Sequence, residues 1–292
     1  MLEINTISKL RKILEDKRSR GMAIGFVPTM GYFHEGHLTL MREAKKLADI
    51  VVVSIFINPT QFSPGEDLDE YPRDLERDRL LAKGAGVDIL FVPTVAEMYP
   101  DGYATYVEVA GGITDVLCGR SRPGHFRGVA TVVAKLFNIV SPDVALFGEK
   151  DWQQLAVIKR MVHDLNMDVE IVGIPTVRDE DGLAMSSRNV YLAPRERDAA
   201  LILSKALKLA HDIVNGGERD PARLAKALRD LINAERQVKL EYLEICDPEN
   251  LAPVDEIREP TLVAIAAKVG KARLIDNTII HPGELEKSGE LF

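Results

Sequence analysis

The stretch from Met22 to Ile57 reads M-A-I-G-F-V-P-T-M-G-Y-F-H-E-G-H-L-T-L-M-R-E-A-K-K-L-A-D-I-V-V-V-S-I-F-I. Met22 to Val27 predicts a strand, and Pro28-Thr29-Met30-Gly31 breaks it. From about Gly36 to Leu47 the spacing of Leu38, Met41, Ala44 and Leu47 has the helical period. Ile50 to Ile57 is nearly continuously apolar and β-branched, the composition of a strand covered on both faces in a parallel sheet. Strand, turn, helix and strand make one βαβ unit. Upstream, Leu10, Ile13 and Leu14 sit at helical spacing behind the caps Asn5, Thr6 and Ser8. Downstream the alternation recurs, with helices predicted over about 71–83, 128–140 and 152–165 and strands over 87–92, 144–147 and 169–174. The pattern implies an α/β fold, a Rossmann-like doubly wound parallel sheet, over residues 1–176. Two long helices, about 195–214 and 221–234, then precede three strands at 239–245, 262–269 and 272–280. Helices followed by consecutive strands predict a smaller C-terminal α+β domain over 177–292, read as a lid, with an unstructured tail from about residue 281.

Composition narrows the function classes. Of 292 residues, 46% are hydrophobic and 28% charged, which excludes a disordered chain. The longest apolar run is far short of the roughly 20 residues that span a bilayer. The N-terminal segment predicts no secretory signal. A net charge of −8 offers no global field for nucleic acid or anionic lipid, so any anion site must be local. Cys118 and Cys246 form no C-x-x-C, which argues against a disulfide scaffold or thiolate zinc site and predicts a cytoplasmic location.

Local anion sites are visible where strands end. The turn P-T-M-G-Y-F-H-E-G-H-L at 28–38 leaves the carboxyl end of a strand, where open α/β sheets bind ligands, and the N–H groups of the next helix favour a phosphate. His34 and His37 face one side, and Gly36 lets a nucleotide approach the backbone. A histidine there can donate to a phosphoryl oxygen gaining charge, although two histidines would equally serve as a plain cap. G-E-K-D at 148–151 opens another helix, with Lys150 a point charge and Gln154 one turn on. D-G-L-A-M-S-S-R-N at 181–189 sets two hydroxyls and a guanidinium in a row at the domain boundary, a grip for terminal phosphates or an ordinary cap. Asn58 and Gln61 leave the second strand where they could reach a ligand over the sheet edge or simply form a turn. Arg120 to Arg127 packs three arginines and a histidine, suited to phosphate or carboxylate or simply to solvent.

Together these segments resemble the pantoate–β-alanine ligases, a family of the nucleotidyltransferase superfamily with a H-x-G-H turn. The resemblance rests on residues 28–38, N-P-T-Q-F at 58–62, Y-P-R-D at 71–74, C-G-R-S-R-P-G-H-F-R-G-V at 118–129, F-G-E-K-D at 147–151, residues 181–189 and A-R-L-I-D-N at 272–277. It implies that ATP activates pantoate as pantoyl adenylate, releasing pyrophosphate, and that the β-alanine amine then displaces AMP to give pantothenate, a coenzyme A precursor. By resemblance, His37, Lys150 and Arg188 are catalytic. Met30, Gly31, His34, Gly36, Gly148, Glu149, Asp151, Val177, Met185, Ser186 and Ser187 complete the ATP site, and Gln61 and Gln154 bind pantoate or β-alanine. Phe33 stands where leucine is usual, and Trp152 where a smaller or phenolic residue is common. The family's acidic run after Y-P-R is interrupted by Arg77, leaving Glu76 and Asp78, so Mg2+ is expected on the ATP phosphates with no protein ligand named. A homodimer is implied by the family alone. A transferase moving AMP onto a phosphate, or a nucleotide sensor without chemistry, would use the same phosphate turns.

Overall fold

A computed structural model describes residues 1–63 and 65–283 and divides the chain into two compact units. The first comprises Met1–Ala110, Gly119–Glu149 and Val157–Pro175, and the second Gly111–Cys118, Lys150–Ala156 and the chain from Thr176.

The first unit is built on six parallel strands: β1 (Leu2–Ile4), β2 (Ile24–Thr29), β3 (Ile50–Ile55), β4 (Ile89–Phe91), β5 (Val144–Gly148) and β6 (Glu170–Ile174), in the order β1-β4-β3-β2-β5-β6. Central strands are apolar on both faces, and Val51, Val52 and Val53 of β3 are all fully buried. Gly25 of β2 permits close packing of helix Glu35–Leu47, because a Cβ there would lie 3.0 Å from the Ala48 Cβ. Strand β1 is absent from the sequence-based expectation; three residues pairing with β4 are too short to show a period. The chain lays down β2, β3 and β4 toward one edge, then returns to place β5 against the other side of β2. The carboxyl ends of β2 and β5 therefore flank the topological switch point, where such sheets hold ligands.

The second unit contains helices Pro194–Ala200, Ile202–Asn215 and Pro221–Asn233 and an antiparallel sheet β7 (Val238–Cys246), β8 (Thr261–Val269) and β9 (Ala272–Ile280) in that order. The single helix expected over 195–214 is two, parted at Leu201, whose N–H turns to the Ala199 carbonyl. No glycine or proline marks that break. Leu203, Leu207, Leu224 and Leu228 pack with Leu243, Val263 and Ile265 of the sheet in one core.

A single cut at 176 does not reproduce this division. The Gln153 amide donates to the carbonyls of Ile113 (2.9 Å) and Val116 (2.8 Å) and accepts from the Cys118 N–H (2.9 Å). The Trp152 indole donates to the Pro248 carbonyl at 2.7 Å. These bonds tie residues 111–118 and 150–156 into the second unit, and the linear sequence carries no sign of them. The tail expected from about residue 281 lies outside the described residues from 284 on.

One backbone contact in the first unit governs the loop after β3. Gly128, in helix His125–Val140, lies beneath the 3₁₀ turn Pro59–Gln61, and a Cβ on it would sit 2.3 Å from the Thr60 carbonyl oxygen and 2.7 Å from the Gln61 Cα. Both neighbours are backbone and cannot rotate away. Gly128→Ala is expected to destabilise the protein by about 3 kcal/mol through overpacking, measured as a lower urea midpoint at unchanged slope. An unaltered midpoint would show that the turn yields freely.

Candidate active site

The turn after β2 is bent by sterically demanding backbone. Gly31 has φ +86° and Tyr32 φ +54°, the latter unusual for a bulky side chain. Asp78, 1% exposed at the foot of helix Leu75–Gly84, holds this geometry: one carboxylate oxygen accepts the Tyr32 N–H and the other the Phe33 N–H, each at 2.7 Å. Burial pushes the Asp78 carboxyl above its ordinary range, while the two amides favour the ionised form. A Cβ on Gly31 would press within 3.0 Å of that carboxylate. Asp78, one of the two acids left in the expected metal run, is thus engaged by backbone amides.

Past the turn, His34 occupies the N-cap of helix Glu35–Leu47, and its carbonyl accepts the His37 N–H at 2.9 Å. The His37 Nδ1 accepts the His34 backbone N–H at 3.4 Å, an arrangement that places the proton of the neutral ring on Nε2. The two imidazoles lie 4.1 Å apart, centroid to centroid, and both are half-buried. The Nδ1 of His37 thus serves the start of the helix.

Gln61 sits in a network that fixes its amide. Its Oε1 accepts from the Asn58 Nδ2 (3.1 Å), which also donates to the Gly128 carbonyl (3.1 Å). The Asn58 Oδ1 accepts from the Tyr99 hydroxyl at 2.8 Å, and burial pushes the Tyr99 phenol up to about 12, keeping it a donor. The Gln61 Nε2 is left on the Met30 thioether at 3.3 Å, a weak acceptor. An amide N–H resting on sulfur is poised for a better acceptor, and Met30 belongs to the histidine turn itself. Behind this, the Gln61 carbonyl accepts the His125 Nδ1–H at 2.8 Å, the His125 Nε2 accepts from Arg122 at 3.0 Å, and Arg122 pairs through two nitrogens with Glu66 at 2.6 and 2.7 Å. The Arg127 guanidinium lies over the Tyr106 ring. Of the three clustered arginines, Arg122 thus braces the loop.

At the end of β5, Gly148 and Glu149 belong to the first unit, and burial raises the Glu149 carboxyl above its ordinary range. The remaining expected positions lie in the second unit. The Met185 N–H donates to the Val177 carbonyl at 3.0 Å, and Arg178 and Ala184 form an antiparallel bridge, so Val177 and Met185 are neighbours at the mouth of a hairpin. The Ser186 hydroxyl oxygen caps the 3₁₀ turn Ser187–Tyr191 by accepting the Arg188 N–H at 3.2 Å. Lys150 Nζ lies 4.0 Å from the Asp151 carboxylate. Gln153 is consumed by the bonds described above, whereas the half-buried Gln154 amide engages no hydrogen-bond partner among the described residues. Also among the described residues, no group of three or more His, Cys, Asp or Glu is arranged to hold a metal ion.

The supporting residues Asp78, Tyr99 and Arg178 are not singled out by sequence for these tasks; the only signal is Asp78 standing in a charged helix, a position ordinarily solvated. Glu66 offers a test of the loop scaffold. Burial would raise its carboxyl, but the Arg122 guanidinium, helped by the Ser63 backbone and by His125, holds it below the ordinary 4.5. Its contribution to stability is complete above that value and is lost as pH falls through the lowered one. The stability difference between about pH 7 and about pH 3.5 should therefore be smaller in Glu66→Gln than in the parent chain, measured by urea unfolding at both. Equal differences would remove the ion pair from the acid response.

A family model for pantoate-beta-alanine ligase matches residues 3–279. Pantothenate synthetase from Pelotomaculum thermopropionicum is 59% identical over 280 residues, covering 96% of this chain and 99% of that one. The crystal structure of pantothenate synthetase from Thermus thermophilus superposes with a TM-score of 0.92 at 48% identity, covering 97% of this chain and 100% of that one. A Francisella tularensis pantoate-beta-alanine ligase, solved in complex with beta-gamma ATP and beta-alanine, has a TM-score of 0.78 at 34% identity, covering 96% and 97%. With a parallel sheet whose switch point carries the H-x-G-H turn, and with relatives matched over nearly their whole length, this chain belongs to the pantoate–β-alanine ligase family.

Proposed function

We propose that the protein condenses pantoate with β-alanine in two steps driven by ATP. A pantoate carboxylate oxygen attacks the α-phosphorus, the bond to the β-phosphate bridging oxygen breaks, and pyrophosphate leaves. The β-alanine amine then attacks the acyl carbon of the pantoyl adenylate, AMP departs with the bonding pair, and the amine loses a proton as the amide forms. The observation that carries this reading is the Gln61 amide nitrogen on the Met30 thioether. It sets a donor suited to a carboxylate or hydroxyl beside the turn suited to a nucleotide, the juxtaposition that adenylation requires.

In this reading the His37 Nε2–H donates to a phosphoryl oxygen as the α-phosphorus gains charge, and Lys150 and Arg188 neutralise charge on the phosphates. Met30, Gly31, His34, Gly36, Gly148, Glu149, Asp151, Val177, Met185, Ser186 and Ser187 complete the ATP site. Gln61 and Gln154 bind pantoate, and Gln61 also meets β-alanine. Mg2+ enters with ATP as part of the substrate, and no protein side chain is assigned to it. A cytoplasmic location is supported by two buried cysteines that form no disulfide. Among the described residues no helix is long and apolar enough to cross a membrane. A homodimer is supported by the family resemblance. The second domain, over 177–292 with the two additional segments, acts as the lid.

Pantoate-dependent exchange of labelled pyrophosphate into ATP, without β-alanine, tests the first step, and AMP release on adding β-alanine tests the second. His37→Ala is expected to slow exchange by about 10²–10³, and a folded variant with unaltered exchange would refute its role. Gln61→Ala should weaken pantoate at least about tenfold while leaving ATP within about twofold, because one lost charge-assisted hydrogen bond is worth about 1.5–3 kcal/mol. Equal losses for both ligands in calorimetry would contradict that assignment. Exchange with a phosphate acceptor in place of pantoate would identify a transferase instead.

A further inference from the structure

The late motif A-R-L-I-D-N has no task in the reaction outlined above, yet its last two residues hold both phosphate segments of the second unit. Asp276, 3% exposed in β9, takes the Arg178 guanidinium through both oxygens, at 2.7 and 3.0 Å. Arg178 also donates to the Gly182 carbonyl at 3.2 Å, and its backbone pairs with Ala184 in the antiparallel bridge, so its guanidinium ties to β9 the turn of the hairpin that leads into Met185 to Arg188. The adjacent Asn277 donates its Nδ2–H to the Lys150 carbonyl at 2.8 Å, fixing the backbone from which that lysine extends. The Asn277 N–H turns onto the Asp276 Oδ1 at 2.9 Å, which joins the two holds. A small hollow lined by Lys150, Ser186 and Asp276, with Leu183, Leu203 and Leu274 as its apolar walls, lies at the meeting of the two segments.

We propose that Asp276 and Asn277 are positioning residues that set the Lys150 segment and the Ser186–Arg188 turn at one spacing, matched to the ATP phosphates. The inference rests on the assignment of Lys150 and Arg188 to those phosphates. The residue types follow from the task. A carboxylate offers two coplanar acceptors to a guanidinium, and the Asn277 amide supplies the donor that a carbonyl needs. Both are anchored in the middle of β9, paired along its length with β8, so the spacing is set by a sheet and not by a loop.

Asn277→Asp keeps the shape, removes the donor and turns an anionic oxygen toward the Lys150 carbonyl. In pyrophosphate exchange it is expected to raise the KM for ATP about tenfold with the KM for pantoate within about threefold, the signature of displaced phosphate contacts. Ile280→Ala, which opens the core at the end of the same strand, serves as the stability control and should lower the melting temperature with the KM for ATP unchanged. Lys150→Ala, measured alongside, tests the underlying assignment. If Lys150→Ala is impaired and Asn277→Asp has parental ATP kinetics, the inference is wrong and the assignment stands. Unimpaired Lys150→Ala overturns both. An equal rise in KM for Ile280→Ala would reduce the effect to lost stability and also overturn the inference. If Asn277→Asp does not fold, Asn277→Ala is judged by the same criteria.

Discussion

The two 2.7 Å bonds by which the Asp78 carboxylate accepts the N–H groups of Tyr32 and Phe33 are the constraint on which the turn after β2 depends. A chain leaving β2 into a helix would pass the switch point on many paths. This one enters the left-handed region at two successive residues, one of them a tyrosine, and such backbone persists only where its surroundings over-determine it. A single carboxylate does so by taking both amides, and the tight approach at Gly31 leaves it little room to move. The orientation of His37 follows downstream, since its Nδ1 is held by the His34 N–H that the same turn delivers.

A second theme is the settling of amide direction. An amide side chain offers a donor at one end and an acceptor at the other, and either could face a ligand. Here the half-buried Tyr99 hydroxyl, kept protonated by desolvation, fixes the acceptor end of Asn58. The donor end of Asn58 then engages the Gln61 oxygen, which leaves the Gln61 nitrogen on the Met30 side. Polarity passes along three side chains, and the last sets its N–H on the Met30 thioether.

The sheet was legible because buried parallel strands must be apolar on both faces, as Ile50 to Ile55 are, and because glycine and proline punctuate the turns. The histidine turn and the residues of 181–189 were legible as segments through their order in the family pattern. What the sequence hid was chiefly support. Asp78 looks like any acid on an exposed helix, yet it is buried by a contact 46 positions away in the chain. Gln153 and Gln154 are identical neighbours in sequence, and only their different surroundings give one to the scaffold and leave the other open. The division at Leu201 carries no residue that breaks helices.

The second unit is assembled from three separate lengths of chain, and two of them precede β6 and all of the C-terminal helices. During synthesis, residues 111–118 and 150–156 emerge well before the sheet of β7 to β9 that completes their unit, so that unit closes only after β9 has been made. A fragment starting at residue 177 lacks Gln153 and the carbonyls it bonds, together with the Trp152 indole that reaches Pro248. The protein is therefore not severable at its apparent linker, and a recombined or truncated version retains the whole second unit only if it carries all three pieces.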